Sequence, residues 1–173
     1  MPASTYIRLK PIMNEASPYV CGMSYTRICL HIVFHTKAGT RPLKPELREK
    51  IYPVIGAKIV ELHSSLIAVN GTDNHLHCLV QLHPSITVAD TVKKVKLALS
   101  AFIKDNCPQY NFRGWGSGYS CFSFNYRDMD QLLNYVNNQD QHHKKQSTKE
   151  ELLELLKENQ IEFNPEFFPD LDN

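Results

Sequence analysis

The chain has 173 residues, 42% hydrophobic and 21% charged, which predicts one globular domain with a real core. No apolar run approaches the roughly 20 residues of a membrane helix, and residues 1–22 lack the apolar centre of a secretory leader, so a cytoplasmic, membrane-free protein is expected. Five cysteines (Cys21, Cys29, Cys78, Cys107, Cys121) are an odd number without CxxC spacing, which argues for reduced thiols against a disulfide framework or zinc knuckle. The net charge of +1 hides an asymmetry. Residues 149–173 carry two lysines against eight acids, and residues 1–148 carry 17 bases against 10 acids, so a basic body precedes an acidic tail. A basic body suits a phosphate-bearing partner.

Residues 1–22, with Pro2, Pro11 and Pro18, show no periodicity and read as a flexible N-terminal extension. A single domain with a helical C-terminal tail is expected over 23–173. Tyr25 to His35 alternates and is rich in strand formers, with His31 and His35 on one face. Pro45 to His63 reads as a helix with Leu47, Ile51, Val54, Ile55, Ile59 and Leu62 at steps of three and four, and Pro53 set inside it. Ser65 to Asn70 is a second strand, Gly71-Thr72-Asp73-Asn74 a hairpin-like turn, and His75 to Leu82 a third strand.

Thr87, with Asp90 three residues on, caps a helix running to about Asp105. Its stripe is Val88, Val92, Val95, Leu99 and Phe102; Lys93, Lys94, Lys96 and Lys104 lie mostly off it, either as a solvated face or as phosphate contacts. Phe112 to Tyr119 is glycine-rich and aromatic. There Trp115 and Tyr119 are candidates to stack on unpaired bases, or else core or dimer residues, and Arg113 adds charge. Tyr119 to Asn125 alternates as a fourth strand. Arg127 to about Gln141 is the next helix, and Ser147-Thr148 caps a last one from Lys149 to Asn159. The first six elements match the split βαβ pattern of an α+β, ferredoxin-like antiparallel sheet, with the first and third strands at its centre.

Two patterns carry chemistry. On a strand His75 and His77 share a face, since side chains alternate, and Leu76 and Cys78 point the other way. On a helix Tyr135 and Gln139 lie one turn apart. Two imidazoles and an amide oxygen, with open positions for phosphate and water, suit Mg²⁺ or Mn²⁺. A tyrosine beside such a site suggests a phenolate nucleophile attacking a metal-polarised phosphate.

His75-Leu76-His77 within residues 69–80 resembles the His-hydrophobic-His (HUH) motif of single-tyrosine transposases, which serve small insertion sequences and include the REP-associated enzymes. Tyr135-Val136-Asn137-Asn138-Gln139 resembles their tyrosine helix, and Trp115 to Tyr119 their stretch before the last strand. The tail, with His142-His143 and the Glu150-Glu151 pair, resembles that of one bacterial branch. Asn74 stands where the family usually has aspartate. The resemblance implies a ferredoxin-like sheet with helices on one face and a C-terminal tyrosine-bearing helix. It implies a homodimer with active sites shared between subunits, cutting and rejoining single-stranded DNA at element-end hairpins without a nucleotide cofactor. Tyr135 would form a 5′-phosphotyrosine link, and His75, His77 and Gln139 would hold the metal. His143, four residues past Gln139, is a solvated helix end or else a further ligand or a DNA contact. Lys93, Lys96, Arg113, Trp115 and Tyr119 are the candidate DNA contacts. A domesticated or inactive DNA-hairpin-binding protein of the same fold, and a structural domain with incidental histidines, are the competing readings.

Overall fold

The computed structural model describes residues 25–37, 40–139 and 146–164. The expectations for residues 1–22 and for His142 and His143 lie outside the described residues.

In chain order the elements are β1 (Ile28–His35), α1 (Pro45–Glu61), β2 (Ser65–Gly71), β3 (His75–Leu82), α2 (Val88–Asn106), β4 (Ser120–Ser123), α3 (Met129–Asn137) and α4 (Thr148–Glu158). The four strands form one antiparallel sheet in the order β2-β3-β1-β4, so β1 and β3 are central as expected. Their register sets Val33 opposite His77 and His35 opposite His75. Leu30, Ile32 and Phe34 of β1 and Leu76, Cys78, Val80 and Leu82 of β3 belong to the main core. His31, Val33, His35, His75, His77 and Leu79 alternate with them and face the other side.

Helices α1 and α2 cover the first face. Pro45 at the start of α1 needs no donor there, and Leu47, Ile51, Ile55 and Ile59 recur every four residues and are buried against the sheet. Pro53 lies inside the helix on its exposed side. On α2 the Thr87 hydroxyl accepts from Asp90 N–H at 3.0 Å, and Val92, Val95, Leu99 and Ile103 are buried. Burying each such aliphatic side chain contributes roughly 1.5–3 kcal/mol.

The second face carries α3 and α4. Val136, with Leu132 and Leu133 beside it, packs on Ala68 and Leu79, and Leu155 and Leu156 pack on Phe122. The helix expected over Arg127–Gln141 is described as far as Gln139, and up to there it is interrupted. A short 3₁₀ turn (Tyr126–Asp128) precedes α3, and α3 stops at Asn137 with Asn138 as its cap. At this end side chains bond the helix backbone. Asn70 Nδ2 donates to the carbonyls of Val136 (2.9 Å) and Asn137 (3.2 Å), and the Asn138 side chain donates to Asn134 O at 2.8 Å. Gln139 is helical again, one residue past the cap. The four described cysteines are free thiols, and no described helix is long and apolar enough to cross a membrane.

Candidate functional site

The turn before β3 is built tightly. A Cβ on Gly71 would lie 2.2 Å from the His75 carbonyl oxygen, so only glycine lets β2 and β3 meet there. Thr72 N–H donates to that same oxygen at 3.0 Å, and the buried Arg48 guanidinium reaches from α1 to the Gly71 carbonyl. Asn74 is buried beneath the turn.

Its Oδ1 is the acceptor for a small network. His75 Nδ1 lies 2.8 Å away, Thr72 Oγ1 3.1 Å and Thr148 Oγ1 3.2 Å. His77 finds a different partner, since its Nδ1 lies 2.9 Å from His31 Nε2 and the two rings stack at 5.1 Å. Burial first, then the neighbouring His77, drive the His31 pKa down to about 3, so His31 is neutral and can accept at Nε2. Both outer nitrogens are thus occupied by donation, which leaves the Nε2 lone pairs of His75 and His77 for a cation.

Those two Nε2 atoms meet on one carboxylate. Glu151 of α4, 2% exposed, sets Oε2 at 3.1 Å from His75 Nε2 and Oε1 at 3.5 Å from His77 Nε2. The Tyr135 hydroxyl donates to Oε1 in a short hydrogen bond, with its ring 5.8 Å from the His77 ring. Burial chiefly, and then the Glu151 charge, raise the Tyr135 pKa; the Gln139 amide pulls the other way. Gln139 is fully buried, and neither of its amide atoms closes a well-formed hydrogen bond. His77 Nε2 is likewise buried with no hydrogen bond.

These are the marks of a site that fits a divalent cation. Ligand atoms of His75, His77 and Glu151 all lie within 4.8 Å of one another, and imidazole and carboxylate donors suit such an ion. The histidine pair and Tyr135 of the expected set therefore come together within one chain, with Gln139 buried beside Tyr135. Glu151 and His31 were not among the expected site residues. Glu151 carries a faint sequence signal, four residues before Leu155 on the face that the leucines bury. The neighbouring Glu150 is exposed and belongs to a capping box with Ser147, so the acidic pair splits into two jobs. His31 left a signal only in its even spacing with His35.

A cavity of about 330 Å³ opens onto His75 and Glu151, walled by Phe34, His35, Leu152 and residues 117–120. A second groove, about 400 Å³, runs between α2 and that loop and is lined by Lys93, Lys96, Trp115 and Tyr119. Ser117 and Tyr119 border both. Lys93 and Tyr119 are exposed, whereas Lys96 Nζ donates to Gly116 O (2.9 Å) and Gly118 O (2.7 Å) and holds the loop. Trp115 packs between Phe34 and Phe112, its ring 5.0 Å from each. Arg113 is exposed and lies outside both cavities.

The site is thus a buried histidine pair on a ferredoxin-like sheet, with a tyrosine on the helix packed against it. The chain belongs to the family described as "Transposase IS200 like", which matches residues 24–139. A search of curated proteins finds no match. Among solved structures, a candidate transposase from Deinococcus radiodurans R1 is similar at 20% identity and a TM-score of 0.52, over 68% of this chain and 95% of that one. A REP-associated tyrosine transposase bound to a REP hairpin is similar at 12% identity and a TM-score of 0.52, over 70% of this chain and 72% of that one. At those identities the likeness speaks for the fold.

Proposed function

We propose that this chain is a metal-dependent transposase that cuts and rejoins single-stranded DNA at hairpins near element ends. The observation that carries the reading is the convergence of Tyr135, His75 and His77 on one carboxylate, in a chain of the IS200-like transposase family. In this reading His75, His77 and Gln139 would hold Mg²⁺ or Mn²⁺, and the bound ion would supply Lewis-acid polarisation of the scissile phosphate. Tyr135 Oη forms the new bond to phosphorus as the bond from phosphorus to the 3′ oxygen breaks. The phenolic proton has an acceptor in contact, Glu151 Oε1, and the departing 3′ oxygen takes up a proton to become a 3′-OH. The product is a 5′-phosphotyrosine whose bond energy permits rejoining by the reverse step, without a nucleotide cofactor.

The groove along α2 supports strand binding. Lys93 and Lys96 offer charge, and Tyr119 offers an exposed ring on the ridge between groove and site. Trp115 shapes the groove wall, and Arg113 extends the positive charge along the loop. Hairpin DNA is the substrate class suggested by the REP-associated neighbour. Residues 23–173 act here as one unit to which 1–22 are appended.

A denaturing gel of the protein with labelled single-stranded hairpin DNA and Mg²⁺ or Mn²⁺ tests the reading. A covalent band that vanishes in Tyr135→Phe is expected. A native-gel shift without any covalent band would favour the hairpin-binding protein instead. The same assay addresses assembly. The tyrosine and histidines meet in cis, which supports a self-sufficient chain. A homodimer that exchanges tyrosine helices would instead regain the band when Tyr135→Phe and His75→Ala chains are mixed.

A further inference from the structure

The family match ends at Gln139, twelve residues before Glu151, yet the site does not end there. Helix α4 enters it at two points one turn apart. Thr148 Oγ1 donates to Asn74 Oδ1, the atom that holds the His75 ring, and Glu151 touches both histidines and the Tyr135 hydroxyl. The helix is fixed in that pose by its own chemistry. The Ser147–Glu150 capping box starts it, with Ser147 N–H donating to Glu150 Oε2 at 2.8 Å, and Leu155 and Leu156 bury against Phe122.

We infer that Glu151 is a protein ligand of the divalent cation, so that α4, lying outside the family segment, completes the metal centre. The inference rests on the metal-dependent reading above. Its geometric ground is the mutual closeness of the three donors, within 4.8 Å, with both histidine Nε2 atoms aimed at the carboxylate. Its chemical ground is charge. His75, His77 and Gln139 are neutral donors, and for a hard dication the affinity rises with the number of charged oxygen ligands. Glu151 supplies that charge from a buried position where water screens it little. With Oε2 toward His75 and Oε1 on the tyrosine, one carboxylate spans cation and nucleophile.

The test is Mn²⁺ binding to the full chain without DNA, followed by electron paramagnetic resonance of the free ion. Wild type is expected to bind and His75→Ala to lose binding. Glu151→Gln, nearly the same shape without the charge, is expected to bind at least about tenfold more weakly. Glu150→Gln, on the exposed side of the same turn, is expected to match wild type. Equal or tighter binding by a folded Glu151→Gln chain would overturn the inference alone, because the carboxylate would then be an occupant that the ion displaces. Absence of Mn²⁺ binding by wild type would overturn the metal reading and this inference together. Should circular dichroism show Glu151→Gln unfolded, Glu151→Asp decides. Its shorter arm is expected to weaken binding several-fold, and binding equal to wild type counts against a direct ligand.

Discussion

His31 is the residue whose job is least visible locally. It lies on β1, 46 positions before His77, and no motif joins them. Its ring is buried, neutral and 2.9 Å from His77 Nδ1, which makes it the acceptor that fixes the tautomer of a candidate ligand. Replacing it by leucine removes that acceptor and leaves a buried N–H unsatisfied. His31→Leu is therefore expected to weaken Mn²⁺ binding by about 10–100-fold. His31→Gln, whose amide oxygen can accept the same proton, is expected to recover most of it. Equal binding by the leucine variant would show that His77 needs no such lock. Asn74 holds His75 in the same manner, through Oδ1, and there aspartate and asparagine offer the same acceptor. The departure from the family pattern at that position thus leaves the tautomer unchanged.

At the scale of elements, the β2–β3 turn decides where the histidines point. Side chains alternate with period two, so a slip of one residue at the turn would send His75 and His77 into the main core and Leu76 and Cys78 to the site. Gly71 holds the register, since any side chain there collides with the His75 carbonyl and with Leu76. Gly71→Ala is expected to cost about 1–3 kcal/mol in urea denaturation and to weaken metal binding at the same time. A stable Gly71→Ala chain with unchanged Mn²⁺ affinity would count against this account of the turn. Helix α3 is positioned from the same strand. Asn70, whose Oδ1 accepts from Tyr52 at 3.1 Å, takes the last carbonyls of α3 and so sets Tyr135 over His77.

Over the whole molecule, the sheet separates two environments. One face, under α1 and α2, is apolar. The other carries His31, His75 and His77 beneath α3 and α4, with half-buried His35 at its edge against Gly116 and the cavity. Holding neutral histidines there has a cost in acid. Burial first, and then Lys96, hold the His35 pKa at about 4, whereas an unfolded histidine titrates near 6.5. The unfolded chain binds the proton first, so stability present above pH 6.5 is lost as pH falls toward 4. The slope from His35 alone is about 1.4 kcal/mol per pH unit, and His31 adds in the same direction. Urea midpoints measured in chelator between pH 7 and pH 4.5 are expected to fall accordingly. A flat profile would mean that these rings take up protons in the fold as readily as in the unfolded chain, and would overturn this account.

The sequence by itself determined the order of strands and helices, the α+β class, the face shared by His75 and His77, and the family. Each of these is a local or periodic signal: alternation in β3, four-residue spacing in α1, a Thr87 cap, a histidine pair and a tyrosine with known neighbours. Only the tertiary structure decided the rest. It ended α3 at Asn137 and set the Asn70 amide, from another strand, against its last carbonyls. It turned Lys96 and Trp115 inward, onto loop carbonyls and aromatic rings. It also brought His31 and Glu151 into the site, from 46 residues before and 74 residues after His77. Those meetings are set by sheet pairing and by helix docking on the second face. Such long-range packing leaves no periodic mark on the stretch of chain that takes part in it.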